Sequence, residues 1–129
     1  MPNTRDINLE EYQISKYRYR ELKNFCLQYR EKQSRLLSLT EIGSPSTEAT
    51  GGGGTSDRTS TMAIKRMELQ HDIALIEQTA METNADIYPY IINHVADGIP
   101  YEYMDVPMGR RQFYDMRKKF FFLLSQKKG

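Results

Sequence analysis

Phe113, Met116, Phe120, Leu123 and Leu124 follow one another at steps of three, four, three and one. A helix, with about 3.6 residues per turn, gathers that spacing into one apolar stripe, whereas a strand scatters it over both faces. The same spacing governs the rest of the chain, and no clear run alternates apolar with polar residues. Val stands only at 95 and 106, while Met, Leu, Glu, Gln, Lys and Arg, which suit helices, dominate. The 129 residues are therefore expected to form a single all-α domain with one modest core.

In chain order, residues 1–8 are polar and expected to fray. Residues 9–39 read as one long helix free of Pro and Gly, with Leu22, Phe25, Cys26, Tyr29, Leu36 and Leu37 on its apolar side and Glu10 and Glu11 in its first turn. Tyr12, Tyr17, Tyr19 and Tyr29 make it aromatic, as befits a core or dimer face, although such rings can also stack on bases. Residues 40–57 then break the pattern. Their Gly51-Gly-Gly-Gly lacks the Gly-Lys-Ser/Thr sequel and preceding strand of a phosphate loop, so the stretch reads as a flexible linker that lets two helices form a hairpin. The second helix is expected over 59–83, capped by Asp57, Thr59 or Ser60. Leu69, Ile73, Ile76 and Ala80 form one stripe on it and Met67, Ala74 and Met81 a neighbouring one, a face broad enough for the first helix and a further partner.

The remaining residues read as three helices over 86–97, 100–106 and 109–126. Ile87, Ile91 and Val95 mark the buried side of the first, and Pro89 falls in its first turn, where a missing N–H is tolerated. Gly98 suits its left-handed end. Pro100 opens the short second helix and Pro107 stops it. On the last helix, Phe121 and Phe122 fall off the main stripe and are expected to pack on the helical body or a second subunit.

The single cysteine, Cys26, has apolar and aromatic helical neighbours and reads as a buried core thiol that forms no bridge. His71 and His94 read as structural or surface residues, because no His, Cys or carboxylate spacing resembles a metal site. Catalytic constellations are likewise lacking, which points away from an enzyme, a cofactor or a small-molecule substrate. Neither a signal peptide nor a membrane-spanning run is visible, so the expected location is the cytoplasm, with no membrane partner.

The net charge of +1 hides a segregation. Residues 106–129 hold seven Lys or Arg against one acid, or +6; residues 62–105 hold two against eight, or −6; residues 1–40 hold eight against five, or +3. A basic face of this kind can meet a polyanion. A short helix, a turn at Val106-Pro-Met-Gly and a longer basic helix give the outline of a helix-turn-helix. On the last helix Arg110, Arg111, Gln112, Tyr114, Arg117 and Lys118 lie on or beside the side away from Phe113, where Arg and Gln can read bases and Tyr and Lys can hold phosphates.

Those residues carry a resemblance. Ile87-Tyr-Pro-Tyr-Ile-Ile, the short helix, and Gly109-Arg-Arg-Gln-Phe-Tyr-Asp-Met-Arg-Lys-Lys-Phe-Phe are similar to the C-terminal part of the ArpU/RinA-type phage regulators. The match lies at Arg110, Arg111, Phe113, Tyr114 and Arg117, with Gly109 where the family pattern favours a capping Ser. Leu22-Lys-Asn-Phe-Cys-Leu-Gln-Tyr resembles small phage-encoded proteins. The resemblance implies a sigma-factor-like helix-turn-helix that binds double-stranded DNA in a bacterial host and regulates late transcription, with host RNA polymerase as a further partner and a homodimer as one form. The alternatives are a small terminase subunit for DNA packaging and a helical inhibitor that binds an acidic protein surface.

Overall fold

In a computed structural model of the chain, the structure describes residues 14–42 and 55–129, with side chains over 14–40 and 59–129. Every regular element among the described residues is helical: α1 (Lys16–Leu27), α2 (Tyr29–Ile42), α3 (Thr55–Thr83), α4 (Tyr88–Asp97), a single 3-10 turn (Tyr101–Tyr103) and α5 (Arg110–Lys128). The fold is all-α, and among the described residues no helix is long and apolar enough to cross a membrane.

The start of α1 is fixed by Ser15. Its extended backbone ends the approach, and its hydroxyl accepts the Arg18 N–H at 3.1 Å. The helix expected over 9–39 therefore begins later, and Glu10, Glu11 and Tyr12 lie outside the described residues. It is also not continuous. Gln28 takes φ −90° and ψ 2°, and its N–H turns to the Phe25 carbonyl at 3.3 Å. The helical ladder resumes where Lys32 N–H bonds the Gln28 carbonyl at 2.8 Å. Neither Pro nor Gly causes this break. It divides two packing tasks: Leu22, Phe25 and Cys26 of α1 face the core with α4 and α5, whereas α2 lies along α3. Leu37, expected on the apolar side, is 61% exposed.

Burial of Tyr29, reinforced by its hydrogen bond to Glu77, raises its hydroxyl pKa and keeps the phenol protonated between α2 and α3. Lys32 reaches Asp72 at 2.9 Å, and its ammonium stands 4.2 Å from the centre of the Phe25 ring. Arg30 pairs with Asp97 at the end of α4 at 3.0 Å. Cys26 is fully buried, and burial pushes its thiol up to about 12 against the opposing charges of Lys32 and Lys128. Among the described residues it is a free thiol.

The long helix α3 begins at Thr55, so Asp57, Thr59 and Ser60, expected as caps, lie within it. Of the expected linker, the outer residues belong to α2 and α3, and Gly51 to Gly54 lie outside the described residues. One side of α3 buries Ile73, Ile76, Thr79, Ala80 and Thr83. Thr79 and Thr83 satisfy their hydroxyls by donating to the carbonyls of Leu75 (2.5 Å) and Thr79 (2.8 Å). Met67 and Met81 of the second stripe remain 66% and 47% exposed.

Asn84 turns the chain into α4: its side-chain oxygen accepts the N–H groups of Asp86 (2.9 Å) and Ile87 (3.2 Å). That places the start of the helix at Tyr88 rather than at 86, with Pro89 in the first turn. Ile87, Ile91 and Val95 are buried as their spacing requires. Gly98, at φ 70°, ends α4, with its own N–H on the His94 carbonyl and that of Ile99 on the Asn93 carbonyl. The helix expected over 100–106 is a correction: only the 3-10 turn forms, because Met104 already has extended backbone and Pro107 follows. The Tyr101 hydroxyl donates to the Met108 carbonyl at 2.6 Å and closes the loop across its base.

Phe113, Phe120, Phe121 and Leu124 of α5 are buried against Leu22, Ile76, Ile91 and their neighbours. Phe121, placed off the main stripe by its spacing, meets Tyr19 of α1 edge to face at 5.1 Å. Phe120 is fully buried. Its replacement by alanine is expected to cost about 3–5 kcal/mol through lost burial and a residual cavity. Urea unfolding followed by circular dichroism measures this; a cost near zero would show that the side chain is not part of the core.

Candidate nucleic-acid interface

The two most basic helices are far apart in sequence. Residues 16–27 carry Lys16, Arg18, Arg20 and Lys23 against Glu21, or +3, and residues 110–128 carry seven cations against Asp115, or +6. Packing brings them side by side. The Arg18 guanidinium donates to the Ser125 hydroxyl (3.0 Å) and carbonyl (2.8 Å). Arg117 Nη2 donates to the Tyr19 hydroxyl at 2.6 Å, across 98 positions of sequence. Lys128 Nζ stands 4.2 Å from the centre of the Phe25 ring. By contrast α3 carries three cations against five acids, and the link over 98–109 carries Glu102 and Asp105. The two packed helices together carry a nominal +9.

Cations and rings alternate along its edge. The Arg110 guanidinium lies 6.0 Å from the Tyr101 ring centre and 5.2 Å from that of Tyr114. Arg117 follows, 5.7 Å from Tyr114, 5.9 Å from Tyr19 and 5.7 Å from Phe121. Lys23 then stands 5.7 Å from Tyr19. Such contacts orient charged groups without neutralising them. Arg110 also pairs with Glu102, and that hydrogen bond holds the Glu102 carboxyl below its usual range. The Arg117 Nε is buried without a hydrogen-bond partner.

His94 supports this edge from below. Its Nδ1 lies 2.8 Å from the Ile99 carbonyl, so the neutral ring carries its proton there. The ring meets Phe113 (5.2 Å) and Tyr114 (5.8 Å) edge to face. Burial lowers its pKa, partly offset by the carbonyl contact, and the Arg117 charge lowers it further.

The six residues expected to read DNA divide in two. Arg111 and Gln112 are exposed and make no hydrogen bond or ion pair among the described residues. Arg110 is exposed but tied to Glu102. Tyr114 and Arg117 are half-buried, engaged with His94 and Tyr19 respectively. The Lys118 side chain is 21% exposed and lies 3.9 Å from Asp115. The helical wheel treated α5 as having one buried side, but α1 covers a second flank at Arg117 and Phe121. Lys119, exposed on the outward arc with Arg111 and Gln112, and Lys16, Arg20 and Lys23, exposed on α1, are cations that the pattern of α5 did not single out. The positive balance of residues 1–40 was their only sequence signal. Gly109, as its residue type requires, supplies no side-chain cap to α5. Among the described residues no group of His, Cys, Asp or Glu could hold a metal ion.

No family model matches the chain, and neither a curated protein nor a solved structure matches it.

The lowered pKa of His94 has a calculable sign. The folded state binds its proton less readily than the unfolded chain, whose His titrates near about 6.5. The stability due to the neutral ring is therefore present above that pH and lost as pH falls below it. The melting temperature is expected to fall between about pH 7 and pH 5, and His94→Asn, which can keep a donor to the Ile99 carbonyl, should flatten that fall. An unchanged pH slope in the variant would remove His94 as its source.

Proposed function

We propose that the chain binds double-stranded DNA through the outward arc of α5 and the basic turns of α1, as a phage or prophage regulator of transcription. One observation carries the reading: α1 and α5, the two most basic helices, are pinned against each other, while α3 and the 98–109 link are each net acidic. A polyanion bound there releases its condensed counterions, so affinity comes from the phosphates and falls with salt. Arg111 and Gln112 stand free in the first turn of α5 and are the base-reading pair, Arg toward guanine and Gln toward adenine. Lys119, Lys118 and the α1 cations Lys16, Arg20 and Lys23 hold phosphates. The uncapped first turn of α5 also offers N–H groups to a phosphate.

In this reading α4, the link and α5 serve as the helix-turn-helix part, and α1 to α3 carry it. Tyr114 and Arg117 act as positioning residues that set the angle of α5 against α1. The regulatory role rests on the likeness of residues 109–121 to phage late regulators, since DNA binding alone suits a packaging protein equally well.

The test is fluorescence anisotropy with duplexes selected from random DNA. Arg111→Glu together with Lys119→Glu should abolish binding while the circular dichroism stays helical. The milder alanine pair should lower the slope of log affinity on log salt by about 0.9 for each phosphate contact removed. Lys65→Glu, on α3, should bind as the wild type does. Undiminished binding by the double Glu variant, or no binding of any duplex at low salt, would overturn the proposal.

A further inference from the structure

Among the described residues, the outward side of α3 has no packing partner that explains its pattern. Ile64, Met67, His71, Ala74, Gln78 and Met81 follow at steps of three, four, three, four and three, opposite the buried Ile73, Ile76 and Ala80. Ile64 is 55% exposed, Met67 66% and Met81 47%. Single exposed apolar residues are ordinary. Here four of six positions at steps of three and four are apolar, and together they form one continuous face about 26 Å long.

We infer that this stripe docks a second copy of the same chain, α3 against α3, in antiparallel order. The stripe is complementary to itself in that direction. With a two-fold axis between Asp72 and Ile73, Ile64 faces Met81 of the other copy, Met67 faces Gln78, and His71 faces Ala74, so the bulky ring meets the small side chain. The charges select the same direction. Residues 55–66 carry Arg58, Lys65 and Arg66 against Asp57, or +2, and residues 67–83 carry Glu68, Asp72, Glu77 and Glu82, or −4, which becomes −2 once Asp72 and Glu82 are set against Lys32 and Lys127. Antiparallel pairing sets each basic half beside an acidic half, whereas parallel pairing sets like beside like. Ile64, Met67, Glu68, His71 and Asp72 line a shallow hollow of about 510 Å³ at one end of the stripe, where the incoming methionine would rest. The acid of α3 repels a polyanion, so this face and the basic surface of α1 and α5 serve different partners. The inference does not rest on the proposal of DNA binding.

Two measurements, both made without DNA, test it. The full chain should sediment at twice its 15.1 kDa mass, and Met67→Glu should return it to the monomer with an unchanged helical spectrum. Single-cysteine additions then read the direction; the native Cys26 is fully buried and does not interfere. An oxidised mixture of Ile64→Cys and Met81→Cys should yield a disulfide-linked heterodimer, while each variant alone yields little linked product. A monomer at all concentrations overturns the inference, as does a dimer that survives Met67→Glu. Self-linking of Ile64→Cys above the level of the mixture overturns the antiparallel order.

Discussion

The structure depends on α1 lying across α5. Tyr19 meets Phe121 edge to face, the Arg117 guanidinium bonds the Tyr19 hydroxyl, and Arg18 ties the same seam to Ser125. This contact completes the burial of Phe121 and Leu22 and so closes one side of the core. It also sets two strongly basic helices next to each other, which is electrostatically unfavourable without compensation. Part of the compensation is aromatic: Tyr19, Tyr114 and Phe121 place their electron-rich faces among Arg117, Arg110 and Lys23. The rest of the repulsion remains as a positive field at the surface, available to an anionic partner.

A different chemistry holds α2. Its fully buried apolar residue is Tyr29, Leu36 packs against the core beside it, and its polar ties to α3 and α4 are Tyr29 with Glu77, Lys32 with Asp72 and Arg30 with Asp97. The surface pair of Arg30 and Asp97 stabilises by about 0–1 kcal/mol, less than a buried aromatic ring, whereas Lys32 is itself buried. The break at Gln28 lets α1 follow the apolar requirement and α2 the polar one.

Much of this was legible from spacing. One of the two stripes of α3, the buried sides of α4 and α5, the stop at Gly98 and the buried state of Cys26 follow from residue types at neighbouring positions, whereas Met67 and Met81 of the second α3 stripe stay exposed. Capping was harder. Asn84 controls the start of α4 through its side-chain oxygen, and Ser15 does the same for α1. Asp57, Thr59 and Ser60 are equally good capping types, yet they lie inside α3, because a cap acts only where the backbone actually leaves the helix. The 3-10 turn in place of a helix over 100–106 reflects the same limit. Pro100 and Pro107 bound a segment too short to nucleate, and Tyr101 spends its hydroxyl on closing the loop at Met108.

For the candidate interface the division is sharper. The sequence alone determined that α5 is basic on the side away from Phe113, and that Arg111 and Gln112 stand outward in its first turn. Those are consequences of helical periodicity, which relates a residue to those three and four places away. Only the tertiary structure decided that Tyr114 and Arg117 turn to structural tasks, that Lys118 lies by Asp115, and that α1, with Lys16, Arg20 and Lys23 exposed, packs beside α5. The physical reason is that the flank of a helix is covered or left open by whatever packs on it. Here that is Tyr19, bonded to Arg117 from 98 positions away, a distance over which periodicity carries no information.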